Sequence, residues 1–231
     1  MARRDKKSVL KTQRNLITEA SKSSPISEQY RTIRTNIEFS AVDREIKTIV
    51  VTSAGPGEGK STTAANLAIV MAQNGQSVLL LDGDLRKPTA HYTFNVSNMS
   101  GLTNVLTKQS DLETTVKETR IQNLSLLPCG PLPPNPAELL NSRMMGLVLE
   151  RAQELFDTII IDTPPVMAVA DASILANKCD GTVLVVSSGK TEREDVKKAK
   201  ELLTKANAKL LGAVLNNKTI ESGHYYYYSH G

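Results

Sequence analysis

The sequence is poor in aromatic residues and in cysteine. Its 231 residues include no tryptophan, and the two cysteines, Cys129 and Cys179, lie far apart without a metal-ligand spacing. Neither a disulfide-stapled fold nor a zinc site is therefore indicated. The sequence also lacks any run of about 18 apolar residues, which a transmembrane helix needs, and it lacks the apolar stretch of a secretory signal. We expect a cytosolic protein.

The excess positive charge lies at one end of the chain. The formal net charge is +4, and residues 1–14 hold six basic side chains and one acidic side chain, so they carry +5 and the other 217 residues carry −1. A nucleic-acid-binding domain would place its basic residues on the folded body, so we expect no nucleic-acid partner. Residues 1–24 are predicted to form a basic flexible tail, with contact to an anionic membrane as the alternative.

Two kinds of segment alternate along the rest of the chain. Short runs rich in leucine and β-branched residues are predicted strands, at 48–52, 78–82, 124–127, 158–162, 182–186 and 210–215. Longer segments between them have helical character, among them 61–74, 137–155 and 192–206. This alternation is typical of an α/β fold with a parallel sheet. Because the strands are apolar on both faces, helices are expected to flank the sheet on both sides.

A further helix is predicted before the first strand; it starts within residues 25–28, with Ser27 as its N-cap, and continues to about Phe39. Glu28, Arg31 and Arg34 recur on it at intervals of three residues. They form a charged stripe beside the apolar one. This stripe is available to solvent or to another subunit.

Residues 54–62, AGPGEGKST, form a Walker A pattern between a predicted strand and a predicted helix. In such a loop backbone N–H groups surround the nucleotide phosphates, Lys60 bridges the phosphates and Ser61 reaches Mg²⁺. Ala54 replaces the first glycine of the usual pattern. The sequence thus predicts a single P-loop NTPase domain over residues 25–218. Its nucleotide-binding candidates are Gly55, Pro56, Gly57, Glu58, Gly59, Lys60, Ser61 and Thr62.

Two predicted strands end in acidic residues. Asp82 ends one strand and is followed by Asp84, and Asp162 ends another. Ligands of open parallel sheets bind at the carboxyl ends of the strands, so these carboxylates are expected to meet near the Walker A loop and to serve Mg²⁺. Each aspartate alone could instead cap a helix or a turn. Three clustered carboxylates without a cation would repel one another.

Together these features resemble the bacterial tyrosine kinases of capsule and exopolysaccharide synthesis, over essentially the whole chain. The resemblance is carried by the Walker A loop, the Asp82-Gly83-Asp84-Leu85-Arg86 strand end, Asp162, the Glu28-x-x-Arg31-x-x-Arg34 helix and the run Tyr225–Tyr228. It implies an ATP-dependent protein-tyrosine kinase that phosphorylates its own C-terminal tyrosines and regulates polysaccharide synthesis.

The resemblance also implies roles for single residues. Lys60 and Ser61 hold the phosphates and Mg²⁺, Asp84 and Asp162 serve the metal, and Asp82 takes the proton of the acceptor tyrosine. A carboxylate suits that last role because the phenol, with a pKa of about 10, must lose its proton as the new bond forms. The sequence by itself does not decide which of Asp82 and Asp84 is the base.

Partners are implied in the same way. In the family, the stripe of Glu28, Arg31 and Arg34 lies at the interface of a ring, which we take to be an octamer. Neighbouring subunits phosphorylate the tyrosines at 225–228. The expected partners are a membrane-embedded activator that recruits the chain to the inner face of the membrane, other tyrosine-containing proteins and a phosphotyrosine phosphatase.

Two features remain open. Asn216 follows the last predicted strand, near where relatives hold the adenine, but a simple turn explains it equally well. Residues 219–231 are predicted to form a flexible tail that contains Tyr225, Tyr226, Tyr227 and Tyr228. A tyrosine-rich end could be a hydrophobic anchor, yet four of the six tyrosines of the chain are consecutive here, which favours a set of accessible acceptors.

The main alternative is a partitioning or cell-division ATPase, a switch in which ATP controls dimerisation. Such proteins have a signature lysine early in the phosphate loop, where this sequence has Ala54 and no lysine precedes Lys60 within the loop. A small-molecule kinase would need a substrate lid and an acceptor pocket, and no segment is identified for them. The intact set of lysine, serine and aspartates argues against a scaffold with an inactive nucleotide site.

Overall fold

A computed structural model describes residues 16–40 and 45–219. Its centre is a sheet of seven strands in the order β3-β4-β2-β5-β1-β6-β7. The strands are β1 (Thr48–Ser53), β2 (Val78–Asp82), β3 (Lys117–Glu118), β4 (Leu124–Leu127), β5 (Thr158–Asp162), β6 (Gly181–Ser187) and β7 (Leu210–Asn216). All neighbouring strands are parallel except the short β3, which is antiparallel to β4.

Helices cover both faces of the sheet. They are α1 (Ile17–Ala20), α2 (Pro25–Phe39), α3 (Lys60–Gln73), α4 (Ala90–Phe94), α5 (Leu102–Leu106), α6 (Leu112–Thr115), α7 (Pro136–Asn141), α8 (Arg143–Leu155), α9 (Asp171–Lys178) and α10 (Arg193–Lys205). Residues of α1 to α4 pack with one face of the sheet, and residues of α5 to α10 pack with the other. The predicted α/β fold is confirmed.

The central strands have no solvent-facing side. In β1, Ile49 and Val51 belong to one apolar core and Val50 to the other, because successive side chains of a strand point to opposite faces. Every residue of β1, β2 and β5 is buried. This explains why these strands are continuous apolar runs rather than alternating patterns.

Parallel pairing brings the polar strand ends to one edge. β5 lies between β1 and β2, and Asp82 pairs in register with Asp162. The loop that follows β1 therefore opens at the same edge as both aspartates. This is the edge at which parallel α/β sheets bind ligands.

The start of α2 differs from the prediction. Ser24, not Ser27, is the N-cap, and its hydroxyl accepts a hydrogen bond from the Ser27 N–H at 3.1 Å. Pro25 occupies the first helical position, where a missing N–H costs nothing. Ser27 is buried and donates its hydroxyl to the carbonyl of Ser21 at 2.7 Å.

The predicted tail boundary at residue 24 is wrong for residues 16–24. Leu16 and Thr18 are buried, and Thr18 donates both its N–H and its hydroxyl to the Asn66 side chain in α3, at 3.1 and 2.8 Å. These contacts make α1 part of the folded domain. Residues 1–15 of the predicted tail lie outside the described residues.

One long predicted helix is divided in two. Residues 137–155 fall into α7 and α8, which are separated by Ser142 in an extended conformation. The Ser142 hydroxyl accepts a hydrogen bond from the Met145 N–H at 3.3 Å and so caps α8. A serine that caps a helix favours a new start over continuation.

Candidate functional site

The loop between β1 and α3 has the conformation that a phosphate loop requires. Gly57 and Gly59 have positive φ angles of 72° and 93°, which glycine adopts without strain. Glu58 turns its side chain back, and its Oε1 accepts a hydrogen bond from the Gly55 N–H at 2.8 Å. Lys60 is the first residue of α3, so the free N–H groups of the helix start lie at this loop.

Two side chains near the ends of β6 and β7 donate hydrogen bonds to carbonyl groups of this loop. Lys190, in the turn after β6, donates to the carbonyl oxygens of Pro56 and Gly57 at 2.8 and 3.1 Å. Asn216, the last residue of β7, donates its Nδ2–H to the carbonyl oxygen of Glu58 at 3.0 Å. No role was predicted for Lys190 from the sequence. The adenine contact expected for Asn216 stays a prediction. In the structure the amide group of Asn216 binds the phosphate loop instead.

The ammonium group of Lys60 lies near oxygen atoms of three side chains. Its Nζ is 3.7 Å from Asp84 Oδ2, 3.6 Å from Asp162 Oδ1 and 3.0 Å from Ser61 Oγ. Asp162 Oδ1 is buried and has no hydrogen-bond partner. The structure thus brings four of the predicted site residues together, around a point where positive charge is favoured.

Asp82 has a different set of contacts. Its carboxylate is fully buried and accepts hydrogen bonds from the N–H groups of Ala90, Thr89 and Asp84 at 3.0, 3.1 and 3.3 Å. The first two N–H groups stand at the start of α4, so Asp82 acts there as a helix cap. Burial, followed by the nearby charge of Asp162, raises the pKa of Asp82 to about 7.

The loop after β2 is held from its other side. Arg86 forms two hydrogen bonds to Asp171 at the start of α9, at 2.8 and 3.0 Å. The backbone N–H groups of Lys87 and Arg86 donate to Asp84 Oδ1 at 2.9 and 3.3 Å. Asp84 therefore keeps its other oxygen directed towards Lys60. Arg86 was expected only as part of a motif, and no role was predicted for Asp171.

A cavity of about 430 Å³ opens between the two loops. Lys60, Ser61, Thr62, Asp84 and Lys87 are among its lining residues. It opens at the carboxyl edge of the sheet, is lined in part by residues within 56–62 of the phosphate loop, and has the charged groups of Lys60, Asp84 and Lys87 at its wall. These properties suit a nucleotide with its phosphates at the start of α3.

The residues present fit a magnesium ion shared with a nucleotide. Within the described ranges, no three His, Cys, Asp or Glu side chains converge to hold a metal by themselves. Mg²⁺ usually takes one or two carboxylates and fills its other positions with water and phosphate oxygens. Such a partial set of ligands is provided by Ser61, Asp84 and the Asp162 oxygen that has no hydrogen-bond partner.

The stripe predicted on α2 is only partly available to another molecule. Arg31 pairs with Glu28 and donates to the Lys22 carbonyl at 2.6 Å. The Arg34 side chain is only 17% exposed, lies 3.5 Å from Glu38 and donates to a carbonyl of α3 at 3.3 Å. Arg34 is thus the least accessible of the three residues, and the place of the stripe at a subunit interface stays a prediction. Glu28, with its side chain 62% exposed, is the most accessible of the three.

Two other expectations concern the ends of the chain and membranes. The tyrosines at 225–228, predicted as acceptors, lie outside the described residues. Among residues 16–40 and 45–219, no helix has the length and apolar character needed to span a bilayer.

Comparison with known proteins agrees with this geometry. The sequence profile of the AAA domain family matches residues 46–210. The tyrosine-protein kinase YwqD of Bacillus subtilis is 55% identical over 216 residues, which cover 94% of this chain and 91% of that protein. The tyrosine-protein kinase CpsD of Streptococcus agalactiae is 43% identical over 190 residues, with coverage of 82% and 81%.

Among solved structures, tyrosine-kinase domains resemble the chain more than a cell-division ATPase does. The chimerical protein CapA2B2 aligns with a TM-score of 0.84 and 44% identity, covering 88% of this chain and 90% of that one. The kinase domain of the Escherichia coli tyrosine kinase ETK also aligns at 0.84, with 29% identity and coverage of 95% and 86%. The septum site-determining protein MinD of Pyrococcus horikoshii, in complex with Mg-ADP, reaches 0.63 with 26% identity and coverage of 73% and 69%.

The chain belongs to the AAA domain family and is a nucleotide-binding protein of the P-loop class. Within that class it is a bacterial protein-tyrosine kinase, related to the kinases of capsule synthesis. The predicted enzyme class is confirmed, and the similarity to these kinases exceeds the similarity to the cell-division ATPase that was the alternative.

Proposed function

We propose that this kinase uses Mg-ATP to phosphorylate the tyrosines at 225–228 of a neighbouring copy, and that this reaction regulates capsule or exopolysaccharide synthesis. The observation that carries the proposal is the position of Lys60, whose ammonium lies between Asp84 and Asp162 beside the open cavity. A fixed positive charge at this point faces a nucleotide phosphate held by the loop. The tail supplies consecutive acceptors.

In the proposed reaction the phenolic oxygen of tyrosine attacks the γ-phosphorus of ATP, and the bond to the β,γ-bridging oxygen breaks. ADP leaves with the electron pair of that bond, and the phenolic proton passes to a carboxylate. Lys60 and the N–H groups of the loop stabilise the charge on the transferred phosphoryl group. Mg²⁺, when bound, neutralises phosphate charge, and Ser61, Asp84 and Asp162 are the residues that would hold it.

We assign the proton acceptor to Asp82. A carboxylate whose pKa is about 7 is well matched to proton transfer near neutral pH. Its carboxylate accepts hydrogen bonds from the N–H groups of Thr89, which lines the cavity, and of Ala90, so this role requires the segment at 89–90 to move when nucleotide and acceptor bind. Asp84, which lines the cavity, is assigned to the metal.

We also propose a cyclic homo-oligomer, an octamer, in which Glu28 and Arg31 meet a neighbouring subunit. A membrane-embedded activator would recruit the kinase to the inner face of the membrane, and a phosphotyrosine phosphatase would reverse its reaction. The likeness to CapA2B2, a chimerical protein, is consistent with function alongside a second protein.

Mass spectrometry of the purified chain after incubation with Mg-ATP tests the proposal. Phosphate on the tyrosines at 225–228, with none on a Lys60→Met chain treated in parallel, is the expected result. ATP hydrolysis accompanied by reversible dimerisation and without phosphotyrosine would contradict it.

A further inference from the structure

Three consecutive carbonyl groups of the phosphate loop point outward and are bound by side chains. Lys190 binds the carbonyl oxygens of Pro56 and Gly57, and Asn216 binds that of Glu58. The distances lie between 2.8 and 3.1 Å. Both side chains come from the β6–β7 edge of the sheet, more than 130 residues further along the chain.

These contacts bear on the N–H groups of the loop. The N–H and C=O groups that flank one peptide bond point in opposite directions, since the peptide unit is planar and trans. Holding the carbonyl groups of Pro56, Gly57 and Glu58 outward directs the N–H groups of Gly57, Glu58 and Gly59 inward. These are the donors that a phosphate-binding loop uses.

The Lys190 and Asn216 side chains lie close to the glycines of the phosphate loop. A Cβ atom on Gly57 would lie 2.8 Å from Lys190 Nζ, and one on Gly59 would lie 2.0 Å from Asn216 Nδ2. These two glycines also have positive φ angles. The positive φ angles favour glycine at both positions, and the close approach of the short Asn216 side chain adds a steric reason at Gly59.

Hydrogen bonds connect the backbone segments that carry Lys190 and Asn216. The carbonyl of Asn216 accepts a hydrogen bond from the Ser188 N–H at 2.8 Å. The Thr191 hydroxyl accepts one from the Ser187 N–H at 2.9 Å and so shapes the turn that carries Lys190. The last pair of strands and the turn after β6 therefore form one support for the loop.

We propose that Lys190 and Asn216 are positioning residues that hold the phosphate loop in its binding conformation before nucleotide arrives. Their ligand is the loop backbone, and through it they act on the polyphosphate of a nucleoside di- or triphosphate. This inference depends on nucleotide binding by the loop and not on the proposed tyrosine phosphorylation. Both can therefore be tested separately.

The test uses the full chain and fluorescently labelled ADP, with hydrogen exchange measured by mass spectrometry. Lys190→Met should weaken ADP binding about three- to tenfold, the loss expected from a charge-assisted hydrogen bond that is partly exposed. In the absence of nucleotide, exchange at residues 55–60 should become faster while the rest of the domain is unchanged. Lys190→Arg retains a cationic donor and should recover most of both effects.

Two further variants complete the design. Lys197→Met removes another exposed lysine, whose ammonium lies 2.8 Å from Glu194 on the surface of α10, and should behave as wild type. Asn216→Asp preserves size but replaces the donor by an oxygen that faces the Glu58 carbonyl, so it should loosen the loop more than Lys190→Met does.

Two results would overturn the proposal. One is wild-type ADP affinity and unchanged exchange at residues 55–60 in Lys190→Met. The other is weaker ADP binding with unchanged exchange in the nucleotide-free chain, because this would assign Lys190 a direct nucleotide contact instead of a positioning role. Neither readout requires phosphate transfer, so a negative result leaves the proposed kinase reaction untouched.

Discussion

The guanidinium group of Arg86 forms a two-point hydrogen-bonded pair with the fully buried carboxylate of Asp171. The pair joins the loop after β2 to the start of α9. Because the backbone N–H groups of Arg86 and Lys87 bind Asp84, an anchor outside the cavity sets the direction of a carboxylate inside it.

Arg86→Met should lower the free energy of unfolding by about 2 kcal/mol, because the buried Asp171 carboxylate loses two hydrogen bonds, while the partial exposure of Arg86 lets water replace part of them. It should also raise the Mg²⁺ concentration needed for half-maximal activity, since Asp84 loses its fixed orientation. Chemical denaturation and magnesium titration measure the two effects. Arg151→Met is the matched control, because Arg151 pairs with Glu113 and Glu154 on the surface.

The double variant Arg86→Met/Asp171→Asn separates the two effects. Without a buried charge it should regain most of the lost stability but not the magnesium dependence of the wild type. Recovery of both would show that Arg86 stabilises the fold without orienting Asp84.

Lys60→Met should reduce autophosphorylation by at least about 100-fold, because a fixed positive charge at the phosphates is lost. The fold should persist, since Lys60 stands at the first position of α3 and does not belong to either apolar core. Phosphotyrosine mass spectrometry and circular dichroism measure the outcome. Retained labelling in the folded variant would exclude the proposed site.

Asp82→Asn and Asp84→Asn should fail in different ways. The first should lower turnover by about 100-fold or more, the usual contribution of a general base, and leave nucleotide affinity within about twofold. The second should mainly weaken the response to Mg²⁺. Steady-state kinetics over a range of Mg²⁺ concentrations distinguishes them, and equal defects in turnover and metal response would remove the distinction.

Charge exchange on α2 tests the proposed ring. Because Arg34 is largely buried, a substitution there would perturb the fold, so the accessible pair is the better choice. Glu28→Arg/Arg31→Glu retains the internal ion pair but reverses both surface charges, and it should give monomers in light scattering. An oligomer of wild-type mass would argue against this interface.

Phosphate transfer should occur between copies. Eight residues, 217–224, separate β7 from the tyrosines along the sequence, and a flexible chain of that length would span roughly 14–17 Å. Mixing a Lys60→Met chain with a chain whose tail tyrosines are Phe should place phosphate on the tail of the inactive copy. If the wild type labels fully under the same conditions and that tail stays unlabelled, transfer between copies is excluded.

Accumulated phosphate should then weaken assembly. Each phosphate adds a charge of about −1.5 to −2, so a heavily labelled tail should repel its neighbours and the acidic site. Light scattering over the course of the reaction should show falling mass. Constant mass at full labelling would contradict self-limitation.

The local sequence pattern was enough to predict most strands of the sheet. The six predicted strands match β1, β2 and β4 to β7 within one residue at each end, because buried parallel strands are uninterrupted apolar runs with polar boundaries. The two-residue β3 was missed, since so short a segment has no periodicity. The break at Ser142 was missed because residues 137–155 as a whole have helical character.

The sequence by itself determined the phosphate loop, the lysine and serine at its end, and the strands that finish in aspartate, because these features depend on neighbours along the chain. The tertiary structure alone decided that Asp82 caps α4, that Arg34 is held against α3, that Arg86 binds a residue 85 positions away and that Lys190 reaches the loop. Such contacts depend on how strands are ordered and how helices pack over them, and no local periodicity records which distant groups that packing brings within hydrogen-bonding distance.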